Sequence, residues 1–145
     1  MRLHVLDWGG PPDGPLMVML HGVGGNAYSF ASLAQRLNVP FRLLGVDQRG
    51  GGDSDKPASG YSAEDFALDV LAIQDKLGNA RPMALVGHSR GGKAALWVAP
   101  SGQSLLIDSG NPGNRDLDRI MAAINDAGLK QVDFLISTHY HVDHI

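Results

Sequence analysis

Short apolar runs alternate along the chain with longer segments in which apolar positions recur at helical spacing. The run at 16–20 is continuously apolar, which is typical of a strand that is covered on both faces, and the runs at 41–46 and 83–86 predict two further buried strands. Residues 3–8 alternate weakly, and residues 9–14 have the composition of a tight turn. The start of the sequence therefore predicts a β-hairpin.

The segments between these strands carry signals for the beginning and end of helices. Asn26 can cap a helix over residues 28–37. Ser62 and Asp65 have the spacing of a capping box, and Gly78 is a plausible stop for the helix that follows them. Helices placed between strands in this way predict right-handed crossovers between parallel strands.

The alternation continues beyond a break at Pro100 and Gly102. Residues 104–108 and 132–137 predict two further strands, and residues 115–127 predict the helix between them. The predicted fold class is therefore α/β, a mostly parallel sheet flanked by helices on both faces, with an N-terminal hairpin. Loops at the carboxyl ends of such strands meet at one edge, where ligands bind.

The composition predicts one soluble domain and excludes several classes of function. A chain of 145 residues, 43% apolar and 19% charged, can bury one core, so residues 1–145 are expected to form a single α/β domain. The net charge of −3 provides no basic surface for nucleic acid or an anionic membrane. The sequence contains no cysteine and no apolar run long enough to span a bilayer, so a cytoplasmic location is expected. Because so short a sheet leaves apolar edges uncovered, self-association into a homo-oligomer is also expected.

The strongest chemical signal is the sequence Gly-His-Ser-Arg-Gly at residues 87–91, between a predicted buried strand and a helix. In that context G-x-S-x-G indicates a sharp turn that exposes Ser89 as a nucleophile. The N–H of Arg90 would face a developing oxyanion, and the N–H of Val23, in the glycine-rich loop after the strand at 16–20, is the second candidate donor. A phosphate-binding loop is the rival interpretation, but Ala94 stands where a magnesium-binding hydroxyl is needed.

Three motifs give residues 1–98 a resemblance to the α/β-hydrolase family. They are Leu-His-Gly-Val-Gly-Gly at 20–25, Val-Asp-Gln-Arg-Gly-Gly-Gly-Asp-Ser-Asp-Lys-Pro at 46–57, and Leu-Val-Gly-His-Ser-Arg-Gly-Gly at 85–92. The resemblance implies that Ser89 is the nucleophile and that Val23 and Arg90 form the oxyanion hole. Members of the family are longer, so the resemblance also implies a truncated hydrolase-like sheet.

A second cluster of chemical groups lies at the C-terminus, directly after the last predicted strand. His139, His141, Asp143 and His144 offer four candidate metal ligands within six residues. Imidazole and carboxylate groups in this arrangement suit a divalent metal, with zinc as the expected ion.

The C-terminal pattern H-x-H-x-D-H, together with Leu-Leu-Ile-Asp-Ser-Gly at 105–110, resembles the N-terminal part of the metallo-β-lactamase superfamily over residues 103–145. That resemblance implies that His139 and His141 hold one ion and that Asp143 and His144 hold a second. The whole sequence then looks like a chimera of two hydrolase families joined near Pro100.

Three hypotheses for the function follow from these motifs. The first is a metal-assisted hydrolase of small-molecule esters or phosphoesters, favoured because four ligands lie so close together. The second is a metal-independent serine esterase in which Ser89, Asp108 and either His139 or His141 form a triad. The third is a folded but catalytically idle scaffold.

Overall fold

The computed structural model describes residues 1–77, 83–98, 105–107, 114–126 and 134–136. Its elements follow the predicted order. The strands are β1 (Val5–Gly9), β2 (Leu16–Leu20), β3 (Arg42–Val46), β4 (Ala84–Gly87), β5 (Leu105–Ile107) and β6 (Phe134–Ile136). The α-helices are α1 (Ala31–Ala34), α2 (Ala63–Lys76), α3 (Arg90–Val98) and α4 (Asn114–Asp126), and a 3₁₀ turn, Ala27–Phe30, precedes α1. The fold class is α/β, as predicted.

The chain divides into two compact units, Met1–Ala95 and Leu96–Ile145. The first unit contains a mixed four-stranded sheet with the order β1-β3-β2-β4. Strand β2 runs parallel to both β3 and β4, whereas β1 is antiparallel to β3 and lies at the edge. The expectation of one domain over residues 1–145 stays a prediction.

The predicted N-terminal hairpin is wrong, because β3 lies between β1 and β2. All but one of the residues of β2 are buried, so this strand needs a neighbour on each side, which β3 and β4 provide. Strand β1 has no buried residue and is suited to the edge. The turn-like composition of residues 9–14 identified a chain reversal but not the strand that β1 pairs with.

The apolar faces of β2, β3 and α2 form the core of the first unit. Leu16, Val18, Met19 and Leu20 of β2 are almost fully buried, and Phe66, Val70 and Ile73 of α2 are also buried, at the helical spacing seen in the sequence.

Two predicted helix starts are present in this unit. Asn26 precedes the 3₁₀ turn and α1, which together are shorter than the predicted helix over 28–37. Helix α2 begins with the predicted capping box, in which the Asp65 N–H donates to Ser62 Oγ at 3.1 Å and the Ser62 N–H donates to Asp65 Oδ2 at 2.9 Å. Its predicted stop, Gly78, lies outside the described residues.

In the second unit, β5 and β6 pair in parallel, with Leu105 opposite Phe134, and α4 is the predicted connecting helix. In the described residues these two strands form a two-stranded sheet. No helix in the described residues is long and apolar enough to cross a bilayer.

Candidate active site

Ser89 lies at a sharp turn between β4 and α3. Its φ angle of 55° is in the left-handed region, and among the described residues it is the only non-glycine residue with a positive φ. Such a conformation costs about 1 kcal/mol for a residue with a Cβ atom and is held only by its surroundings. The side chain is exposed, so the strained turn that the motif predicted is present.

The two glycines of the motif lie where the backbone of α3 meets the sheet. A Cβ atom on Gly91 would collide with the carbonyl group of Leu20 in β2. A Cβ atom on Gly87 would collide with the backbone of Gly91 and Gly92. Both positions therefore require glycine, because any side chain would push α3 away from the strands and open the turn.

The loop at residues 21–26, which we call the β2 loop, packs against this turn. A Cβ atom on Gly22 would lie 3.1 Å from Ser89 Cβ and 2.9 Å from His88 Nδ1. Val23, the next residue, has a side chain that is 77% exposed. Arg90 is the first residue of α3, so its N–H has no acceptor within the helix. The two candidate oxyanion donors thus belong to two segments that meet at Ser89.

His21 belongs to the β2 loop but cannot serve as a catalytic base. It is 1% exposed, and both ring nitrogens are occupied. Nε2 accepts the N–H of Gln48 at 3.1 Å, and Nδ1 lies 2.7 Å from the carbonyl oxygen of Gly22. This pattern requires a neutral ring with its proton on Nδ1, which donates to Gly22. His21 therefore has a structural role in the loop.

A second loop at the same edge of the sheet, residues 47–60, is called the β3 loop. Its first residue, Asp47, is 3% exposed and accepts three hydrogen bonds, from Ala27 N–H at 2.6 Å, Asp53 N–H at 2.9 Å and His4 Nδ1 at 2.8 Å. Burial alone would raise the pKa of Asp47, but these donors outweigh it and leave the pKa below its usual value.

Arg49 fastens the β3 loop to α2. Its guanidinium donates two hydrogen bonds to the carboxylate of Asp69, both at 2.7 Å, and a third to the carbonyl oxygen of Gly60, also at 2.7 Å. The bond to Asp69 is the main reason that the pKa of Arg49 is raised. The sequence motifs did not single out Asp47 or Arg49, although a carboxylate directly after a buried strand, as at Asp47, is a signal for a functional or structural role.

The structure describes only some of the residues predicted for the triad, the oxyanion hole and the metal site. Ser89, Val23 and Arg90 are described, whereas the remaining candidates lie outside the described residues: Asp108, His139, His141, Asp143 and His144. The Arg90 guanidinium stacks on the ring of Phe66, with its Cζ 4.7 Å from the ring centroid.

In the described part of the chain, one group of side chains has the spacing of metal ligands, namely His4, Asp47 and Asp53, whose ligand atoms lie within 4.8 Å of one another. The carboxylate oxygens of Asp47 already accept three hydrogen bonds, from Ala27, Asp53 and His4. The cluster is therefore explained as support for the β3 loop.

Comparisons with known proteins match most of the chain. Residues 15–126 match a family model described as alpha/beta hydrolase fold. The chain is 42% identical over 87 residues to 2-(acetamidomethylene)succinate hydrolase from Mesorhizobium japonicum, covering 60% of this chain and 31% of that protein. It is 30% identical over 105 residues to soluble epoxide hydrolase from Corynebacterium sp. strain C12, covering 72% and 35%.

A solved structure, the enol-lactonase from Burkholderia xenovorans LB400, is 32% identical and superposes with a TM-score of 0.62, covering 68% of this chain and 38% of the other. The chain spans about a third of the length of the curated relatives it matches.

These matches bear on the predicted chimera. The family match continues to residue 126, past the expected junction at Pro100 and into the segment at 103–145. It supports the α/β-hydrolase resemblance and extends it, whereas the metallo-β-lactamase resemblance gains no support from it.

Proposed function

Because the chain belongs to the alpha/beta hydrolase fold family, we propose that it hydrolyses small-molecule carboxylic esters or related acyl compounds with Ser89 as the nucleophile. The observation that carries this proposal is the geometry of Ser89. The side chain is exposed in a left-handed turn between β4 and α3, and the β2 loop lies against it. A strained, exposed serine with backbone N–H groups on two sides is suited to acyl transfer.

In the proposed mechanism, Ser89 Oγ attacks the carbonyl carbon and gives its proton to a base. The N–H groups of Val23 and Arg90 stabilise the oxyanion that forms, and the base returns the proton to the oxygen that departs as the alcohol. Water then gives a proton to the same base and attacks the acyl carbon, and the base protonates Ser89 Oγ as the acid is released. For the base and its partner we propose His139 or His141 with Asp108, the groups that the sequence predicts.

A serine nucleophile suits only one of the two classes of substrate that the names of the relatives suggest, acyl compounds and epoxides. Attack of Ser89 on an epoxide would leave an alkyl ether on the enzyme, and water does not hydrolyse an ether under mild conditions. Attack on an acyl carbon leaves an ester, which water can hydrolyse. We therefore propose acyl substrates for this protein, in line with the relatives named as a succinate-derivative hydrolase and an enol-lactonase.

The metal-independent route is preferred here to the metal-assisted route that the sequence favoured. The exposed turn at Ser89, with Gly22 packed against it, supports the serine route. Metal-assisted hydrolysis of esters or phosphoesters depends on His139, His141, Asp143 and His144 alone. Zinc binding by these four residues stays a prediction. A homo-oligomeric state, which light scattering tests, and a cytoplasmic location also stay predictions.

A fluorophosphonate probe tests the role of Ser89 directly. We expect one phosphonyl group on Ser89, identified by peptide mass spectrometry, and a loss of nitrophenyl acetate hydrolysis of several orders of magnitude in Ser89→Ala. The matched control is Ser59→Ala, which changes an exposed serine of the β3 loop and should keep both labelling and activity. Undiminished ester hydrolysis by Ser89→Ala would refute the proposal, and turnover of styrene oxide would refute the restriction to acyl substrates.

A further inference from the structure

Hydrogen bonds from the first two residues of the β3 loop hold both ends of the β2 loop. We propose that Asp47 and Gln48 form a clamp that positions the β2 loop, so that the Val23 N–H is held beside Ser89 in the transition state. This inference rests on the proposed function, because it assigns positioning residues to the same reaction. Neither Asp47 nor Gln48 is proposed to touch the substrate.

At the first end of the β2 loop, Gln48 holds His21 through both its backbone and its side chain. The Gln48 N–H donates to His21 Nε2 at 3.1 Å, and Gln48 Nε2 donates to the carbonyl oxygen of His21. Gln48 is 3% exposed, and its Oε1 has no partner among the described residues, so the bond to His21 fixes the orientation of the amide. Water competes poorly for bonds this deeply buried.

At the other end, Asp47 holds Ala27, the residue that follows the β2 loop. Its Oδ1 accepts the N–H of Ala27 at 2.6 Å, and Ala27 is fully buried. The carboxylate cannot swing away, because Oδ2 is fixed by the Asp53 N–H and by His4 Nδ1. The bond is charge-assisted, which makes it stronger than a bond between neutral groups.

Between these two ends the β2 loop has few hydrogen bonds of its own. Gly25 N–H and His21 Nδ1 both donate to the Gly22 carbonyl, at 3.2 and 2.7 Å, and Asn26 N–H donates to Ser29 Oγ at 3.3 Å. Three of its six residues are glycine, and Gly24 has a φ of 78°. A loop of this composition has many accessible conformations, so its ends must restrict it if the Val23 N–H is to be preorganised.

Two variants weaken the two ends separately. Gln48→Met keeps the length of the side chain and removes its bond to the His21 carbonyl. Asp47→Asn keeps the shape, but its single acceptor oxygen cannot serve both Ala27 and the donors on the other side. The control is Asp69→Asn, which breaks a different buried contact of the β3 loop, the one with Arg49. All variants are compared with the unmodified chain at a temperature at which thermal unfolding shows each of them to be folded.

Two measurements are made on each variant, amide hydrogen exchange of residues 22–26 by mass spectrometry and steady-state ester hydrolysis. For Gln48→Met and Asp47→Asn we expect exchange in this segment to be at least about 10-fold faster, and kcat to fall by about 10- to 100-fold with KM changed less than about threefold. Asp69→Asn should change neither the exchange rate of residues 22–26 nor kcat, even if its thermal midpoint falls as far as those of Gln48→Met and Asp47→Asn.

Unchanged exchange in residues 22–26, or a fall in kcat that Asp69→Asn matches, would overturn the clamp. The exchange measurement needs no catalysis, so it judges the clamp even if the unmodified chain neither hydrolyses the ester nor takes the fluorophosphonate label on Ser89. That last result would count against the proposed function alone. If Asp47→Asn does not fold, Gln48→Met alone decides the proposal.

Discussion

The β2 loop and the β3 loop leave neighbouring parallel strands at the same edge of the sheet, and both are rich in glycine, yet they differ in what their side chains do. The β2 loop presents Val23 to solvent and places Gly22 against Ser89. The β3 loop begins with two buried polar residues, Asp47 and Gln48, whose bonds reach back to the β2 loop. One loop borders Ser89, and the other forms hydrogen bonds to both ends of the first.

The difference shows that glycine has two separate uses at this edge. In the β2 loop, Gly22 lets the backbone approach Ser89. In the β3 loop, Gly52 leaves room for a carboxylate, because a Cβ atom there would overlap the side chain of Asp47. Changes in the β2 loop, or in Asp47 and Gln48 that hold its ends, should therefore affect the rate of reaction first. Changes at the contacts of the β3 loop with α2 should affect the free energy of unfolding first.

The largest expected effect comes from the β2 loop. In Gly22→Val, the new side chain would displace Ser89 or His88, since even its Cβ atom would lie within 3.1 Å of both. We expect ester hydrolysis to fall by about 10²- to 10³-fold, comparable to the loss of an oxyanion donor. The control is Gly9→Ala, at a φ of 88° with no atom near the new Cβ, which should cost about 1 kcal/mol of stability and leave the rate unchanged. If Gly22→Val hydrolysed the ester as fast as Gly9→Ala, the β2 loop would not have the role in the reaction that is proposed for it.

The next effect concerns the β3 loop and is one of stability. Asp69→Asn removes the closer of the two carboxylates that pair with Arg49, whose side chain is 13% exposed, and keeps only Asp65 at 3.4 Å as a charged partner. We expect the free energy of unfolding, measured with urea, to fall by about 2 kcal/mol. The kcat of the folded protein should stay within about twofold of its original value. A large fall in kcat without a loss of stability would contradict the role given to this loop.

How much of this arrangement the sequence predicts depends on the range of the interactions. Strand β2, the capping box of α2 and the turn at Ser89 are each encoded within a few neighbouring residues, and the structure contains all three. The pairing of β1 with β3 joins residues about forty positions apart, and the local turn signal at 9–14 predicted the wrong partner. The clamp was missed for the same reason, since its bonds join side chains and amides that are distant in sequence.

A smaller effect is expected on the pH dependence of stability, to which Asp47 should contribute more than the exposed carboxylates. The pKa of Asp47 in the folded protein lies below the ordinary aspartate value of 3.8, so its contribution to stability is complete above that pH and is lost as the pH falls through the lower, folded value. Asp7, Asp55 and Asp65 also have lowered pKa values and give a similar background. The urea midpoint should therefore fall less steeply below about pH 4 in Asp47→Asn than in the unmodified chain. If the urea midpoints of Asp47→Asn and the unmodified chain fall in parallel with pH, Asp47 contributes no more to the pH dependence of stability than an exposed carboxylate does.

The smallest expected effect is that of metal removal, and it decides whether the comparison of the two loops describes the chemistry at all. If Ser89 is the nucleophile and the β2 loop supplies the oxyanion donor, a metal-free preparation, confirmed by elemental analysis after chelation, should hydrolyse nitrophenyl acetate at an unchanged rate. Zinc bound by His139, His141, Asp143 and His144 could then be lost without consequence for this reaction. If chelation instead abolishes hydrolysis, zinc restores it and Ser89→Ala retains it, a metal-bound hydroxide would be the nucleophile. The β2 loop would then have no more part in the reaction than the β3 loop.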